Sequence, residues 1–220
     1  MKAEVENVVF TGHSCDFCAE ARSDQINPEF ALAIGRTSRT LLRFPSVYVI
    51  PTLSPVVANH VLLVPTSHVT SRPQLDSTQR GDLAEAERHV RGLLASPAHS
   101  IVTFEHGIGE GRYGGCGVSH LHIHMMPLEH YAATEALRRL SQSPLGESLT
   151  DPLHLGPSDS YVHMRRETDS TADLVVRKGE FPSQFLRNLV EGALGVERTN
   201  WRDMVRSELL AETLAASHWI

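Results

Sequence analysis

Apolar residues recur at helical spacing in some segments of the chain and form short strand-like runs in others, which predicts a mixture of helices and strands. Helical spacing recurs over about 20 residues after Asp76 or Ser77, each a candidate N-cap, and again over residues 129–140. Short β-branched and aromatic runs predict strands at residues 40–44, 47–50, 60–65 and 100–104. The run 60–65 is almost wholly apolar, as expected for a strand covered on both faces.

A fifth strand is predicted over residues 120–126, where three histidines alternate with apolar residues. Successive side chains of a strand point to opposite faces, so His120, His122 and His124 are expected on one face. The apolar residues between them are expected to face a core. These elements predict an α+β fold with helices and an antiparallel sheet of about five strands.

The chain after residue 140 is predicted to be an accessory extension, 141–220, packed on a first domain at 1–140. The extension is expected to contain a hairpin and two helices: strands at 160–165 and 172–177, and helices at 182–190 and 203–216.

Three histidines on one strand face indicate chemistry rather than packing. Imidazole can act as nucleophile, acid or base near neutral pH, and it binds metals. The preceding Gly114-Gly115-Cys116-Gly117 can bring backbone N–H groups close to an anion. A histidine strand beside such a loop indicates a phosphate site, with three solvated histidines on an edge strand as the alternative.

Net charge, apolar run length and cysteine count indicate which classes of protein are less consistent with the sequence. The net charge of −6 argues against an extended nucleic-acid surface, because such proteins carry a basic face. Residues 1–6 lack the order of a signal peptide, and no run reaches the roughly 18 apolar residues of a membrane span, so a cytoplasmic location is expected. Three cysteines, two of them in Cys-x-x-Cys, fit a reducing compartment better than a disulfide framework.

The stretch His120–Met126 resembles the signature of the histidine-triad (HIT) superfamily of nucleotide hydrolases and transferases. Two further segments agree: Asn59–His68 resembles the family's segment ending in Pro-x-x-His, and Cys15–Cys18 resembles the Cys-x-x-Cys of many bacterial members. The resemblance implies a small-molecule nucleotide substrate and the family's usual homodimer. It also implies that His122 is the nucleophile and that His124 stabilises the phosphoryl oxygens.

Cys15 and Cys18 supply half of a structural zinc site, which takes four ligands. In HIT members that bind zinc through this Cys-x-x-Cys, the other ligands correspond to His68 and His120 here. His13 competes with them on spacing alone. An unmetallated pair of buried thiols and a redox pair of the thioredoxin type are the alternatives.

The chain departs from the commonest HIT pattern in its pocket. Thr52 replaces an acidic residue that commonly holds the ribose hydroxyls, Glu105-His106 stand where many members have Asn, and the loop before the triad lacks a serine that helps the leaving group. The predicted substrate-binding residues are Thr52, His106, Gly115, Cys116, Gly117, Gln184 and Arg187. The last two lie three apart on a predicted helix and are expected to reach the leaving group from one helix face.

Three classes of function follow from these features. The first is a nucleotidyl hydrolase or transferase that forms a covalent nucleotidyl intermediate on His122. The second is a metal-dependent hydrolase with the triad as ligands, although His124 stands where sites of the His-x-His-x-Asp-His type place Asp. The third is a non-catalytic nucleotide-binding protein that keeps the pocket.

Overall fold

An antiparallel sheet lies at the centre of the structure, a computed structural model that describes residues 15–110, 118–150, 154–196 and 206–219. Its eight strands in the described chain are β1 Leu42–Arg43, β2 Val47–Pro51, β3 Val61–Pro65, β4 His99–Gly107, β5 Ile123–Glu129, β6 Glu147–Leu149, β7 Tyr161–Glu167 and β8 Ala172–Lys178. Across the sheet they follow the order β1-β2-β3-β5-β4-β7-β8-β6.

The described helices are α1 Asp16–Ser23, α2 Pro28–Ile34, α3 Ser77–Leu94, α4 His130–Ser141, α5 Phe185–Leu194 and α6 Ser207–Ala215, with short 3₁₀ turns at Arg72–Gln74 and Ser217–Trp219. Helix α3 uses Asp76 as its N-cap, because the Asp76 carboxylate accepts from Gln79 N–H while the Gln79 side chain accepts from Asp76 N–H. No helix in these described segments combines the length and apolar character that crossing a bilayer requires.

Alternation along β2 separates two parts of the core. Val47 and Val49 pack in a cluster with residues of α3, whereas Tyr48 and Ile50 pack in a cluster with Phe17 of α1. β3 is buried over its whole length, as predicted, because apolar residues cover both faces of the sheet at this position.

The hairpin of the extension continues this sheet. β7 pairs with β4 along the edge that β5 leaves free, and β8 pairs with β7. The predicted α+β class is confirmed, but the predicted count of about five strands is wrong. β7 supplies hydrogen-bond partners to an edge that would otherwise lack them. The sheet thus crosses the predicted boundary at residue 140, and the division into two domains stays a prediction.

Local backbone conformation accounts for the other differences. The helix predicted from residue 182 begins at Phe185, because Gln184 has a φ of 62° in the left-handed region. Periodicity did not predict α1, α2 or β6, which are at most eight residues long and therefore carry little periodic signal.

Candidate active site and metal centre

A cavity lies between α1, α2 and the sheet, and His122 and His124 line its wall. Six apolar side chains share the lining: Phe17, Ile26, Phe30, Leu53, Leu62 and Val118. A mainly apolar concave surface with a few polar groups is typical of a small-molecule site.

The histidine segment joins β5 only at its end. β5 begins at Ile123, so His124 is the triad residue that lies on the strand. Upstream, Leu121 N–H donates to the carbonyl of Val69 at 2.6 Å, outside the strand ladder. The strand is therefore shorter than predicted, but the predicted alternation is confirmed. Leu121, Ile123 and Met125 are buried in one core cluster, whereas the rings of His120 and His122 both contact Phe17 on the other side.

The two ring nitrogens of His122 have different roles, because Nδ1 donates a hydrogen bond and Nε2 keeps a lone pair. Its Nδ1 lies 2.7 Å from the backbone carbonyl of His120, and a carbonyl can only accept, so Nδ1 carries the hydrogen. In the neutral ring, Nε2 then holds the lone pair. Burial lowers the pKa of His122, which favours this neutral form at pH 7.

His124 has the opposite tautomer, which a second histidine determines. Val56 N–H donates to Nδ1 of His60 at 3.1 Å, so the hydrogen of the His60 ring is on Nε2. That Nε2 lies 2.8 Å from Nδ1 of His124 and donates to it. The hydrogen of His124 is therefore on Nε2, a buried donor with no hydrogen-bond partner in the described part of the chain.

Sequence reasoning did not select His60 as a functional residue. It precedes the apolar run of β3 and reads there as an isolated core histidine. A signal was nevertheless present: His60 lies two residues before Leu62, the cross-strand partner of His124, so the strand pairing brings the two rings to one face. Burial, together with the charges of Arg187 and Arg206, lowers the pKa of His60 well below its usual value.

The predicted metal ligands form one cluster on the other side of the triad. Sγ of Cys15 and Sγ of Cys18 lie 3.3 and 3.5 Å from Nδ1 of His120, and Sγ of Cys18 lies 3.3 Å from Nδ1 of His68. All four ligand atoms lie within 4.8 Å of one another. These residues can therefore hold a metal ion.

The donor set fits a tetrahedral ion of the size of zinc. Zn–S bonds of about 2.3 Å and Zn–N bonds of about 2.0 Å at tetrahedral angles separate N and S by about 3.5 Å, close to the observed distances. Nε2 of His120 donates to the carbonyl of Pro65 at 2.9 Å, which leaves Nδ1 as the free ligand atom. Burial raises the pKa of the Cys15 thiol to about 11, so its thiolate needs a nearby cation. The competing ligand His13 lies outside the described residues.

The predicted substrate residues separate into groups. Thr52, Gln184 and Arg187 line the cavity with His122. His106 does not line it: its ring lies 6.1 Å from that of Phe181, and burial lowers the pKa of His106 to about 4. The predicted Gly115, Cys116 and Gly117 lie outside the described residues.

Glu105, which stands in the place of the family's Asn, belongs to a buried ion network. Its carboxylate accepts from the guanidinium of Arg72 and the hydroxyl of Tyr161, and Nδ1 of His163 lies 3.8 Å away. Burial acts to raise the pKa of Glu105, but the charge of Arg72 overrides burial and lowers it to about 2. The ionised carboxylate thus joins β4 to β7 of the extension.

Comparisons with known sequences and structures show what the chain is similar to. No curated protein sequence matches the chain. Among solved structures, a HIT family member from Bacillus subtilis is 19% identical over 54% of this chain and 75% of its own, with a TM-score of 0.38. A histidine triad nucleotide-binding protein from Candida albicans is 18% identical over 54% and 77%, also at 0.38. A yeast Ap4A phosphorylase is 13% identical over 76% and 70%, at 0.39.

The HIT domain family profile matches residues 35–131, which include His60, His68 and the three triad histidines. Residues 35–131 of this chain are therefore a HIT domain, and a C-terminal extension follows it.

Proposed function

We propose that the chain is a nucleotidyl hydrolase or transferase that cleaves a nucleoside 5′-phosphoryl linkage through a covalent intermediate on His122. One observation carries the proposal: two neighbouring imidazoles in one cavity have opposite tautomers. His122 keeps a lone pair on Nε2, and His124 keeps a hydrogen on Nε2, with the ring centroids 5.1 Å apart. A nucleophile beside a hydrogen-bond donor is the arrangement that attack on a phosphate requires.

The reaction balances in two steps. Nε2 of His122 attacks the α-phosphorus, so that a P–N bond forms while the bond to the leaving group breaks with its electron pair. The Nε2–H of His124 donates to a phosphoryl oxygen and stabilises the charge that develops there. Water or an acceptor hydroxyl then attacks phosphorus, the P–N bond breaks, the acceptor loses its proton to solvent, and His122 returns to its starting form.

The cavity suits a nucleotide. The rings of Phe17 and Phe30 and the aliphatic side chains beside them offer flat contacts to a base. Thr52 and Gln184 line the cavity. In this proposal the hydroxyl of Thr52 hydrogen-bonds the sugar and Gln184 contacts the leaving group. The guanidinium of Arg187 is engaged by protein partners, so its role is a different one, described below.

The proposal includes a structural zinc ion, for which Cys15, Cys18, His68 and His120 are the ligands. When bound, zinc would stabilise the thiolates and fix the N-terminal segment to the domain. The cluster contains His120 but neither His122 nor His124, so the described ligands do not support a metal-dependent hydrolase that uses the whole triad.

Mass spectrometry of the purified chain tests the proposal. The protein is incubated briefly with dinucleoside polyphosphates, nucleoside phosphoramidates or nucleotide sugars, quenched in base, and mapped for a nucleotidyl adduct on His122. An adduct that His122→Asn abolishes and the exposed His89→Asn retains is the expected result. Turnover of any of these compounds by His122→Asn at the wild-type rate would overturn the mechanism.

A further inference from the structure

The extension holds the β2–β3 loop, residues 52–60, through a buried arginine. Arg187 of α5 donates from Nη1 to the carbonyl of Ser54 at 2.6 Å and from Nη2 to Oγ of Ser54 at 3.3 Å. The same guanidinium donates from Nε to Glu191 at 3.0 Å, and the side chains of the two charged residues are 4% and 0% exposed. A planar, rigid fork of this kind fixes both partners in one geometry.

Two further contacts from the extension reach the same loop. Nη1 of Arg206 donates to the carbonyl of Pro55 at 3.5 Å, and Oγ1 of Thr213 in α6 accepts from Asn59 N–H at 2.8 Å. The loop is therefore held near its middle and near its end by residues more than a hundred positions away in sequence. The carbonyls of Ser54 and Pro55 and the N–H of Asn59 thus find their hydrogen-bond partners in the extension.

The loop is hydrogen-bonded to the pair of histidines that determines the tautomer of His124. Val56 N–H, two residues after Ser54, donates to His60, and His60 donates to His124. A shift of the loop that removed the Val56 hydrogen bond would free Nδ1 of His60 to carry the hydrogen. His124 would then lose the partner that keeps its own hydrogen on Nε2.

A buried ion pair is a poor source of stability, because desolvation of both charges offsets their attraction. An apolar pair would fill the same space at similar or better stability. An apolar side chain has no donor for the carbonyl of Ser54, so it could not hold that carbonyl in the geometry that Arg187 imposes.

We propose that Arg187 and Glu191 are positioning residues, through which the extension sets the β2–β3 loop so that His60 holds His124 as a hydrogen-bond donor in the cavity. The proposal rests on the function proposed above for His122 and His124. It adds that the extension is part of the machinery for turnover, although Arg187 does not contact the reacting phosphate.

Imidazole nitrogen NMR of the full-length, ¹⁵N-histidine-labelled protein tests the proposal without substrate. His60→Gln and His124→Gln variants assign the two rings, and both are expected to show the Nε2–H pattern in the wild type. Arg187→Met/Glu191→Gln keeps the volume but removes the ion pair. We expect it to change the tautomer pattern of His124 and, on the substrate found by the adduct screen, to lower kcat about 10-fold or more with a smaller change in KM.

Arg177→Met is the matched control, because Arg177 is also a buried arginine of the extension and donates to the carbonyls of Ser141, Leu145 and Gly146, none of which line the cavity. It should lower stability but leave both histidine patterns unchanged. If the double variant fails to fold, Arg187→Lys, which keeps the charge but loses the fork, takes its place with the same expected changes.

Unchanged His60 and His124 patterns in a folded Arg187 variant would overturn the positioning role. The proposed function fails separately, since absence of a wild-type adduct on His122 would leave the NMR result intact.

Discussion

The backbone carbonyl of His120 accepts a hydrogen bond from Nδ1 of His122 at 2.7 Å, while the ring of His120 faces Cys15 and Cys18. One residue thus joins the metal cluster to the candidate nucleophile. The cluster can orient His122 without contributing a ligand to the chemistry, so effects of metal loss on turnover need not indicate metal-dependent hydrolysis.

Replacement of the triad residues should separate their roles. His122→Asn should lower turnover by at least about 10³-fold, because it removes the nucleophile. His124→Asn should lower it by about 10²–10³-fold, because it removes a donor to the phosphoryl oxygens. Steady-state kinetics with His89→Asn as the control measures both, and equal losses in the two variants would contradict the separate roles.

Metal analysis should find about one zinc per chain if the four clustered residues close a tetrahedron. Cys18→Ser should lose the metal and lower the melting temperature, because zinc binding contributes to folding. Elemental analysis and thermal unfolding measure this. Zinc at full occupancy in the Cys18→Ser protein would exclude Cys18 as a ligand.

Glu105→Gln should destabilise the protein by about 3–5 kcal/mol, because it leaves the charge of Arg72 without one of its buried partners. Glu135 pairs with Arg138 and Arg139, whose side chains are 51% and 37% exposed. Glu135→Gln is therefore the control, for which we expect little change. Urea unfolding measures both. Similar midpoints for the two variants would show that the Glu105 network does not stabilise the junction of β4 and β7.

Stability should fall as the pH is lowered from 7 to 4. The pKa of His106 is lowered by burial to about 4, whereas an unfolded histidine titrates near 6.5, so between these values the unfolded chain binds a proton that the folded chain does not. This difference favours unfolding, on the order of 2–3 kcal/mol at pH 4. His106→Gln should therefore show a smaller loss than the wild type in urea unfolding at each pH. Parallel pH profiles of the two proteins would contradict this origin.

Gln184→Gly should weaken substrate binding without lowering stability. Glycine adopts the left-handed conformation of this residue more readily, by about 1 kcal/mol, while the side chain in the cavity is lost. A raised KM with an unchanged melting temperature is expected; a lowered melting temperature with unchanged KM would indicate a structural brace.

Most strands of the sheet, the metal ligands and the cavity histidines could be predicted, because each is encoded in a short stretch of sequence. Short β-branched and apolar runs identified β2 and β3, helical spacing identified α3 and α4, and the spacing of Cys15 and Cys18 indicated a metal pair. The HIT resemblance added His68 and His120, which the structure brings to the same cluster. In each case the information lies in local periodicity or in a motif of a few residues.

Tertiary structure alone decided how these pieces act together. The triad separates into a metal-facing His120 and two cavity histidines because different side chains pack around each ring, which strand alternation cannot express. The opposite tautomers of His122 and His124 depend on the carbonyl of His120 and on His60, which only the pairing of β3 with β5 brings to His124. The contact of Arg187 with Ser54 spans 133 positions, and the chain forms such contacts only after packing has already brought the extension to the domain.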